Sequence, residues 1–455
     1  MILRSRGALK IVEMPVERGM RALLYSVMVL CTLAACGRTD QAAAPLESTP
    51  GVTDTEIVLG SSLALEGHAS YLGTETYRGY MSYIRHINES GGIHGRTIRV
   101  IAYDDGYDPP MCLANTQRLI VEDRVFALFS YVGTPTTVKI LPMVEEAKIP
   151  LLGMFTGAHA LREPLIRYII NVRASYYQET EAAIRHLIED LGIMKIAVFY
   201  QYDAFGFDGL TGMELALQEY GLAPVARGSY VRGTLDVEEG LHKIMATGAE
   251  AVVMIGTYEP CSKFIKLAIQ KGFNPVFYTV SFVGAEELAR RLDPSANTTV
   301  IMSQVVPPPE GPESRALLGS TVEYLELLKR YFPEDKPNFV GLEGYINARV
   351  LVEGLDHAGR ELTREGFIDA IESIQHYPLA LDMAISFSPT DHQGLDSVYF
   401  TRLQYGLFLL IKDWEAIRGS IAQDRDRSDA EGRDGTGEAS GAVTPDATVK
   451  EQGAP

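Results

Sequence analysis

The sequence predicts an α/β fold with two parallel-sheet cores, on three observations. From Glu56 to about Arg291, short β-rich runs alternate with amphipathic helical segments. Several runs are apolar throughout, Ala251-Val252-Val253-Met254-Ile255 most clearly, as strands covered on both faces are. The runs are also too many for one ordinary sheet. Alternation of this kind builds right-handed β-α-β units and an open, doubly wound sheet. Two segments, Asn171–Ser175 and Val305–Pro309, read as crossings into a second sheet and back.

The expected strands, in order, are Ile57–Ser61, Thr97–Tyr103, Val125–Phe129, Pro150–Met154, Lys195–Tyr200, Ala249–Ile255 and Val276–Val280. The expected helices between them are Tyr77–Glu89, Met111–Glu122, Thr136–Ala147, Glu179–Leu191, Gly209–Tyr220, Cys261–Gln270 and Glu286–Arg291. In the first, Tyr80, Ile84 and Ile87 recur at helical spacing. After the second crossing come helices Glu313–Tyr331, Asn338–Ala358 and Arg364–Ile374. A turn at Ser388-Pro389-Thr390-Asp391 then leads to strands Val398–Gln404 and Gly406–Ile411. From about Gln423 the chain is rich in Gly, Asp, Arg, Ser and Ala, too poor in large apolar side chains to offset the cost of ordering.

The amino terminus carries a different signal. Arg21 precedes an apolar run from Ala22 to Leu33, and Leu33-Ala34-Ala35-Cys36 ends it. That is the outline of a secretory signal whose removal leaves Cys36 first, and it resembles a bacterial lipobox, in which that cysteine receives lipid. The alternative is a transmembrane anchor, but the run, counted on through Ala35, holds about 14 apolar-biased residues against the roughly 20 that cross a bilayer. Met14 or Met20 is an alternative start. Gly37 after the cysteine resembles the pattern of lipoproteins sorted to the outer rather than the inner membrane. Gln41–Thr53, rich in Ala, Pro, Ser and Thr, reads as a flexible spacer.

Composition narrows the function. A formal net charge of -18 excludes the basic footprint that nucleic-acid binding needs. Hydrophobic residues at 46% are ample for a large core. Cys31 leaves with the signal and Cys36 takes lipid, so Cys112 and Cys261 remain, as buried thiols or as a pair. There is no P-loop, HExxH, GxSxG or GxGxxG, and no Cys/His cluster, so neither a cofactor nor a metal is expected. Asp104-Asp105 could serve acid/base work, but Asp-Asp-Gly-Tyr-Asp-Pro-Pro is the composition of a capped turn. His68 and His159 lie in loops and read as polar loop residues.

In open parallel sheets, ligands sit outside the carboxyl ends of the strands. Four loops fall there: Ser130–Thr137, Gly153–Ala158, Thr257–Pro260 and Ser281–Gly284. In the first, Thr134 is placed to cap a helix with Pro135 at its first position. Free N–H groups, the hydroxyls of Thr134 and Thr136, and the helix dipole suit a carboxylate. Tyr71, Tyr131, Phe155, Tyr202, Phe205, Tyr258 and Phe282 lie near strand ends, an aromatic set of the kind that lines small-molecule pockets.

From about Glu56 to Lys412 the chain resembles the bacterial type I periplasmic solute-binding proteins of the branched-chain amino acid (Leu/Ile/Val) kind. The landmarks are Ile87-Asn88-Glu89-Ser90-Gly91-Gly92-Ile93-His94-Gly95, Tyr103-Asp104-Asp105-Gly106-Tyr107-Asp108-Pro109, Pro142-Met143-Val144-Glu145-Glu146-Ala147-Lys148-Ile149-Pro150 and Tyr202-Asp203-Ala204-Phe205-Gly206. The resemblance implies two Rossmann-like lobes joined by three crossings, the third near Phe387–Asp391. The implied organisation is a signal at 1–35, a lipidated terminus and linker at 36–55, and a disordered tail at 423–455. Lobe 1 takes 56–173 and 307–387, and lobe 2 takes 174–306 and 388–422. It further implies a monomer that traps a solute by lobe closure and passes it to an ABC permease, or a sensor of the same fold without transport.

By the resemblance, Thr134 and Thr136 match the first carboxylate-binding loop, and Thr156 and Gly157 the second. Tyr71 matches the aromatic over the ligand, and Phe205 and Tyr258 match tyrosines of the second lobe. Two departures matter. Ser281 stands where the family places the acid that pairs with the ligand's ammonium, with Glu286 and Glu287 further on. Tyr107 and Val132-Gly133 occupy the regions that the family joins by a disulfide. A cleft of hydroxyls and aromatics without an acid suits a neutral, aromatic, apolar or carboxylate-bearing solute better than an α-amino group.

Overall fold

The computed structural model describes residues 49–295, 298–310, 319–379 and 383–423. The signal, Cys36, the spacer before Thr49, residues 313–318 and the tail from 424 lie outside them.

The chain enters the first sheet as β1 (Glu56–Leu63), whose side chains are buried on both faces after the first. It continues through α1 (Ser70–Glu89), β2 (Thr97–Asp104), α2 (Pro109–Val121), β3 (Ala127–Phe129), α3 (Thr134–Ala147), β4 (Leu151–Leu152) and β5 (Ile169–Ile170). All five strands are parallel, in the order β2-β1-β3-β4-β5. The order reverses between β1 and β3, so the loop after β3 opens at the switch point.

The second sheet follows a first crossing at residues 171–175. Its elements are α4 (Tyr176–Arg185), β6 (Ile196–Gln201), α5 (Ala204–Glu219), β7 (Arg227–Tyr230), α6 (Glu238–Met245), β8 (Ala251–Ile255), α7 (Tyr258–Gln270), β9 (Val276–Thr279), α8 (Ala285–Arg291) and β10 (Val300–Gln304). Strands β7, β6, β8, β9 and β10 are parallel neighbours in that order. Here the switch point lies between β6 and β8. The chain then returns as α9 (Gly319–Tyr331), α10 (Phe339–Ala358), α11 (Arg364–Glu372) and a small pair, β11 (Tyr377–Pro378) with β12 (Ala384–Ile385). It goes on to β13 (Tyr399–Gln404) and β14 (Leu407–Leu410), antiparallel additions beside β10, and a last helix at residues 414–423.

Helix α10 lies directly on α1. A Cβ on Gly79 would sit 1.9 Å from the Gly341 carbonyl oxygen, so only glycine lets the two backbones meet. That contact ties the returning segment to the first sheet.

Several expectations need correction. Helix α1 begins at Ser70, seven residues before the expected Tyr77, with Leu72, Gly73 and Thr76 buried along its polar first turns. Residues 49–53 are not free spacer: Val52 bridges Ile57, and the Gly51 carbonyl accepts the Val58 N–H at 2.8 Å. The third crossing runs beside the first at His392–Gly394, just past the expected Phe387–Asp391. There Asn171 N–H donates to His392 O at 2.8 Å and Gly394 N–H to Asn171 O at 2.9 Å. Strands β5, β7 and β10 and helix α6 are additions. β7 reads Arg-Gly-Ser-Tyr, with no apolar run, and sits at a sheet edge. β5 and β10 abut the crossings, so their apolar runs merge with those connections in the sequence.

Cys112 and Cys261 are both free and buried, in separate clusters of core residues. Among the described residues, no helix is long and apolar enough to cross a membrane, and no group of His, Cys, Asp and Glu is placed to hold a metal ion.

Candidate functional site

The loop at the first switch point is built on backbone strain. Ser130 has φ 55° and Gly133 φ 100°. Gly133, not Thr134, is the N-cap of α3, and Thr134 is its first helical residue, with no side-chain cap. The Thr134 hydroxyl instead pairs with the Thr156 hydroxyl at 2.6 Å, which ties this loop to the one after β4. The Thr136 hydroxyl donates to Val132 O at 2.6 Å and Gly133 O at 2.9 Å. Tyr131 faces away from the cleft: its hydroxyl meets Thr116 at 3.0 Å behind the sheet, in the cluster that holds Cys112.

Tyr107 rests edge-on against Gly133, where a Cβ would come within 2.1 Å of its Cε2. The positions that the resemblance links by a disulfide therefore meet here as a ring against a glycine. Beside them, the Asp104-Asp105 turn is a set of caps. Asp104 accepts the N–H groups of Leu65, Glu66 and Gly106, and Asp105 accepts Ser62 Oγ at 2.7 Å and Tyr107 N–H at 2.9 Å.

The second sheet answers with side chains. Phe282, on the short turn after β9, is fully buried, and Phe205, Phe155, Tyr107 and Tyr176 surround it at centroid distances of 4.7, 5.5, 5.9 and 6.5 Å. Phe155 and Tyr107 come from the first sheet; Phe205 and Tyr176 come from the second. Tyr71 and Tyr258 meet edge to face at 6.1 Å across the same gap. The two faces are thus in contact through aromatic rings.

Three polar contacts close the rim. Tyr71 Oη donates to Glu286 at 2.9 Å, and Glu286 also accepts the Phe339 N–H at 3.1 Å. His159 N–H donates to Asp208 at 2.9 Å. Arg232 Nη1 donates to the Tyr107 carbonyl at 2.5 Å. Burial pushes Glu286 up to about 7 and Asp208 up to about 6.

At the base lies a buried ion cluster. Arg173, in the first crossing, is 1% exposed. Its Nη2 donates to Glu179 at 3.0 Å and to Ser281 Oγ, and its Nη1 faces Glu343 at 3.3 and 3.4 Å. Glu179 also accepts Ser281 N–H at 2.8 Å, Ser281 Oγ at 2.9 Å and Ser303 Oγ. Burial opposes the charge on Arg173, but Glu343 and Glu179 outweigh it and hold its pKa up. Burial pushes Glu343 up to about 7, against the pull of Arg173. An acid therefore does stand beside Ser281, contributed by α4 rather than by the loop after β9.

The loops thus bring together Tyr71, Thr134, Phe155, Thr156, Phe205, Tyr258, Ser281 and Phe282. Gly157 joins them through its carbonyl, which accepts the Tyr176 N–H at 2.8 Å. Tyr202 stays outside, 60% exposed. Arg173, Glu179 and Glu343 are the residues that sequence reasoning missed. Their signal was a charge inside an apolar setting: Arg173 in Asn-Val-Arg-Ala-Ser, and Glu343 in Phe-Val-Gly-Leu-Glu-Gly-Tyr.

Comparison with known proteins agrees with this architecture. The Periplasmic binding protein profile matches residues 56–406. A possible leucine/isoleucine/valine-binding protein from Rhodopirellula baltica SH 1 superposes with a TM-score of 0.75. It is 35% identical, over 81% of this chain and 99% of that one. The "Leu/Ile/Val-binding protein homolog 7" of Brucella abortus (strain 2308) is 24% identical over 324 residues, 69% of this chain and 80% of that protein. A fatty acid ABC transporter substrate-binding protein from Thermomonospora curvata, 20% identical, shares the fold at a TM-score of 0.71. The match covers 80% of this chain and 93% of that one. These are solute-binding proteins rather than enzymes, and a periplasmic or extracytoplasmic location follows from the family. With the profile spanning most of its length and both switch points lined by the expected loops, this chain belongs to the periplasmic binding protein family, of the Leu/Ile/Val-binding type.

Proposed function

We propose that this chain is a lipid-anchored, monomeric solute-binding protein that traps a small molecule by lobe closure and delivers it to an ABC-type importer in the inner membrane. The solute is an amino acid or a related aromatic, apolar or carboxylate molecule. The mobile units are 56–173 with 307–387 and 174–306 with 388–422. Cys36 carries the lipid, in the outer rather than the inner membrane, and the chain before Thr49 reaches from it.

One observation carries the reading: Tyr71, Thr134, Phe155 and Thr156 from one sheet face Phe205, Tyr258, Ser281 and Phe282 from the other, at the two switch points. A solute that touches both faces favours their approach, and that difference in affinity drives the hinge. A thermal-shift screen of amino acids, aromatic acids, amides and apolar metabolites tests it. At least one compound is expected to raise the melting temperature at micromolar concentration. Silence across the panel, with folded protein, overturns the reading. Incorporation of labelled palmitate, lost in Cys36→Ala, tests the anchor separately.

A further inference from the structure

The base of the cleft holds an unusual arrangement of hydrogen-bond donors. Arg173 is buried, yet its Nε–H has no partner among the described residues. A buried, unmatched donor of this kind costs free energy unless something fills it. The other two corners of the guanidinium are committed, Nη2 to Glu179 and Ser281 and Nη1 to Glu343. The guanidinium carbon lies 5.1 Å from the centre of the Phe155 ring and 5.7 Å from that of Tyr176, so the group packs against two of the aromatic rings. The Tyr176 hydroxyl is a second buried group without a well-placed partner among the described residues, and its polar neighbours are the Thr156 hydroxyl and the Gly157 amide. The Thr156 hydroxyl is already paired with Thr134, so the unmatched donors beside the aromatic rings are Arg173 Nε–H and the Tyr176 hydroxyl.

Acceptors for a cation are scarce there. Glu179 already receives Arg173, the Ser281 N–H, the Ser281 hydroxyl and the Ser303 hydroxyl, which uses the roughly four acceptor positions a carboxylate has. Among the described residues Glu343 hydrogen-bonds Arg173 alone, at 3.3 and 3.4 Å, and burial favours its neutral form, which is a donor. At the rim, Glu286 is taken by Tyr71 and the Phe339 N–H.

We propose that Arg173 is the anion anchor of the cleft, and that the solute is a carboxylic acid with an aromatic or apolar body and no ammonium group. The carboxylate takes the Arg173 Nε–H and the Tyr176 hydroxyl, the two unmatched donors. The body takes the place of the Phe282 ring among Tyr107, Phe155, Tyr176 and Phe205. This rests on the solute-binding reading above and names the chemistry of that site.

Isothermal titration of the mature protein with phenylacetate, hexanoate, phenylacetamide, phenethylamine and L-phenylalanine tests it. The two acids are expected to bind, and the amide and the amine to bind at least about tenfold more weakly, the scale of one hydrogen bond to a charged group. L-phenylalanine is expected to bind no better than phenylacetate. Because Arg173→Gln alone leaves Glu179 and Glu343 without their partner, the decisive variant is R173Q with E343Q, which replaces both members of the Arg173–Glu343 pair. It is expected to fold and to lose the preference for phenylacetate over phenylacetamide, whereas E343Q alone is expected to bind phenylacetate at least as tightly as the parent. Binding of L-phenylalanine or phenethylamine without the acids overturns the anchor and leaves the solute-binding reading standing. So does unchanged phenylacetate binding by the folded double variant. Silence of all five probes overturns the anchor, and only silence across the wider thermal-shift panel overturns the broader reading.

Discussion

The base and the rim of the cleft are built in opposite ways. At the base, Arg173 holds Glu179 from α4 and Glu343 from α10, and every acceptor position of Glu179 is filled. At the rim, the two sheets meet through separate hydrogen bonds, Tyr71 to Glu286, His159 to Asp208 and Arg232 to Tyr107. A buried ion cluster resists rearrangement, because breaking it leaves charges unpaired away from water. Each rim contact stands apart from the others, so the loss of one costs about 1 kcal/mol and leaves the rest in place. On the lobe-closure reading proposed above, the base is the pivot and the rim is the latch.

The largest effect should come from the base. Arg173→Ala leaves Glu179 and Glu343 buried without their cation, and should cost about 3–5 kcal/mol of stability in urea unfolding. A loss below about 1 kcal/mol would show that the cluster is no pivot.

The intermediate effect is one of pH. Burial raises Glu286 and Glu343 from 4.5 to about 7, so the folded chain holds their protons more firmly than the unfolded chain does. Their contribution is fully present below about 4.5 and is lost as pH rises through about 7. Stability should therefore fall between those limits, followed as the urea midpoint against pH, and Glu286→Gln should flatten the rim's share of the slope. A midpoint that rises over this interval would reverse the assignment.

The smallest effect is Tyr71→Phe, which removes one rim bond. It should cost about 1 kcal/mol or less in unfolding, while shifting the scattering curve toward a more open form. A loss equal to that of Arg173→Ala would make rim and base equivalent.

Much of this fold is written in the sequence as periodicity. The apolar run Ala251–Ile255 became β8 and the Tyr80, Ile84 spacing became α1, because a strand buried on both faces and an amphipathic helix leave direct marks. The edge strand β7, with no apolar run, left none. The candidate site is legible to the same degree. Thr134, Thr156 and Phe282 lie on loops that the strand–helix alternation locates. Tyr131 was misplaced because the strained Ser130 turn decides which face the next side chain takes, and a sequence does not print φ. The Arg173–Glu179–Glu343 cluster joins residues 170 apart along the chain, a contact that only the packing of α10 near the first crossing creates.

The central claim is that solute draws the two faces together about a fixed base. Small-angle scattering of the mature protein, alone and with each compound that raises its melting temperature, measures this directly. The account predicts a smaller radius of gyration with bound solute, and a larger starting value for Tyr71→Phe. A radius unchanged on saturation by a compound that binds would contradict it.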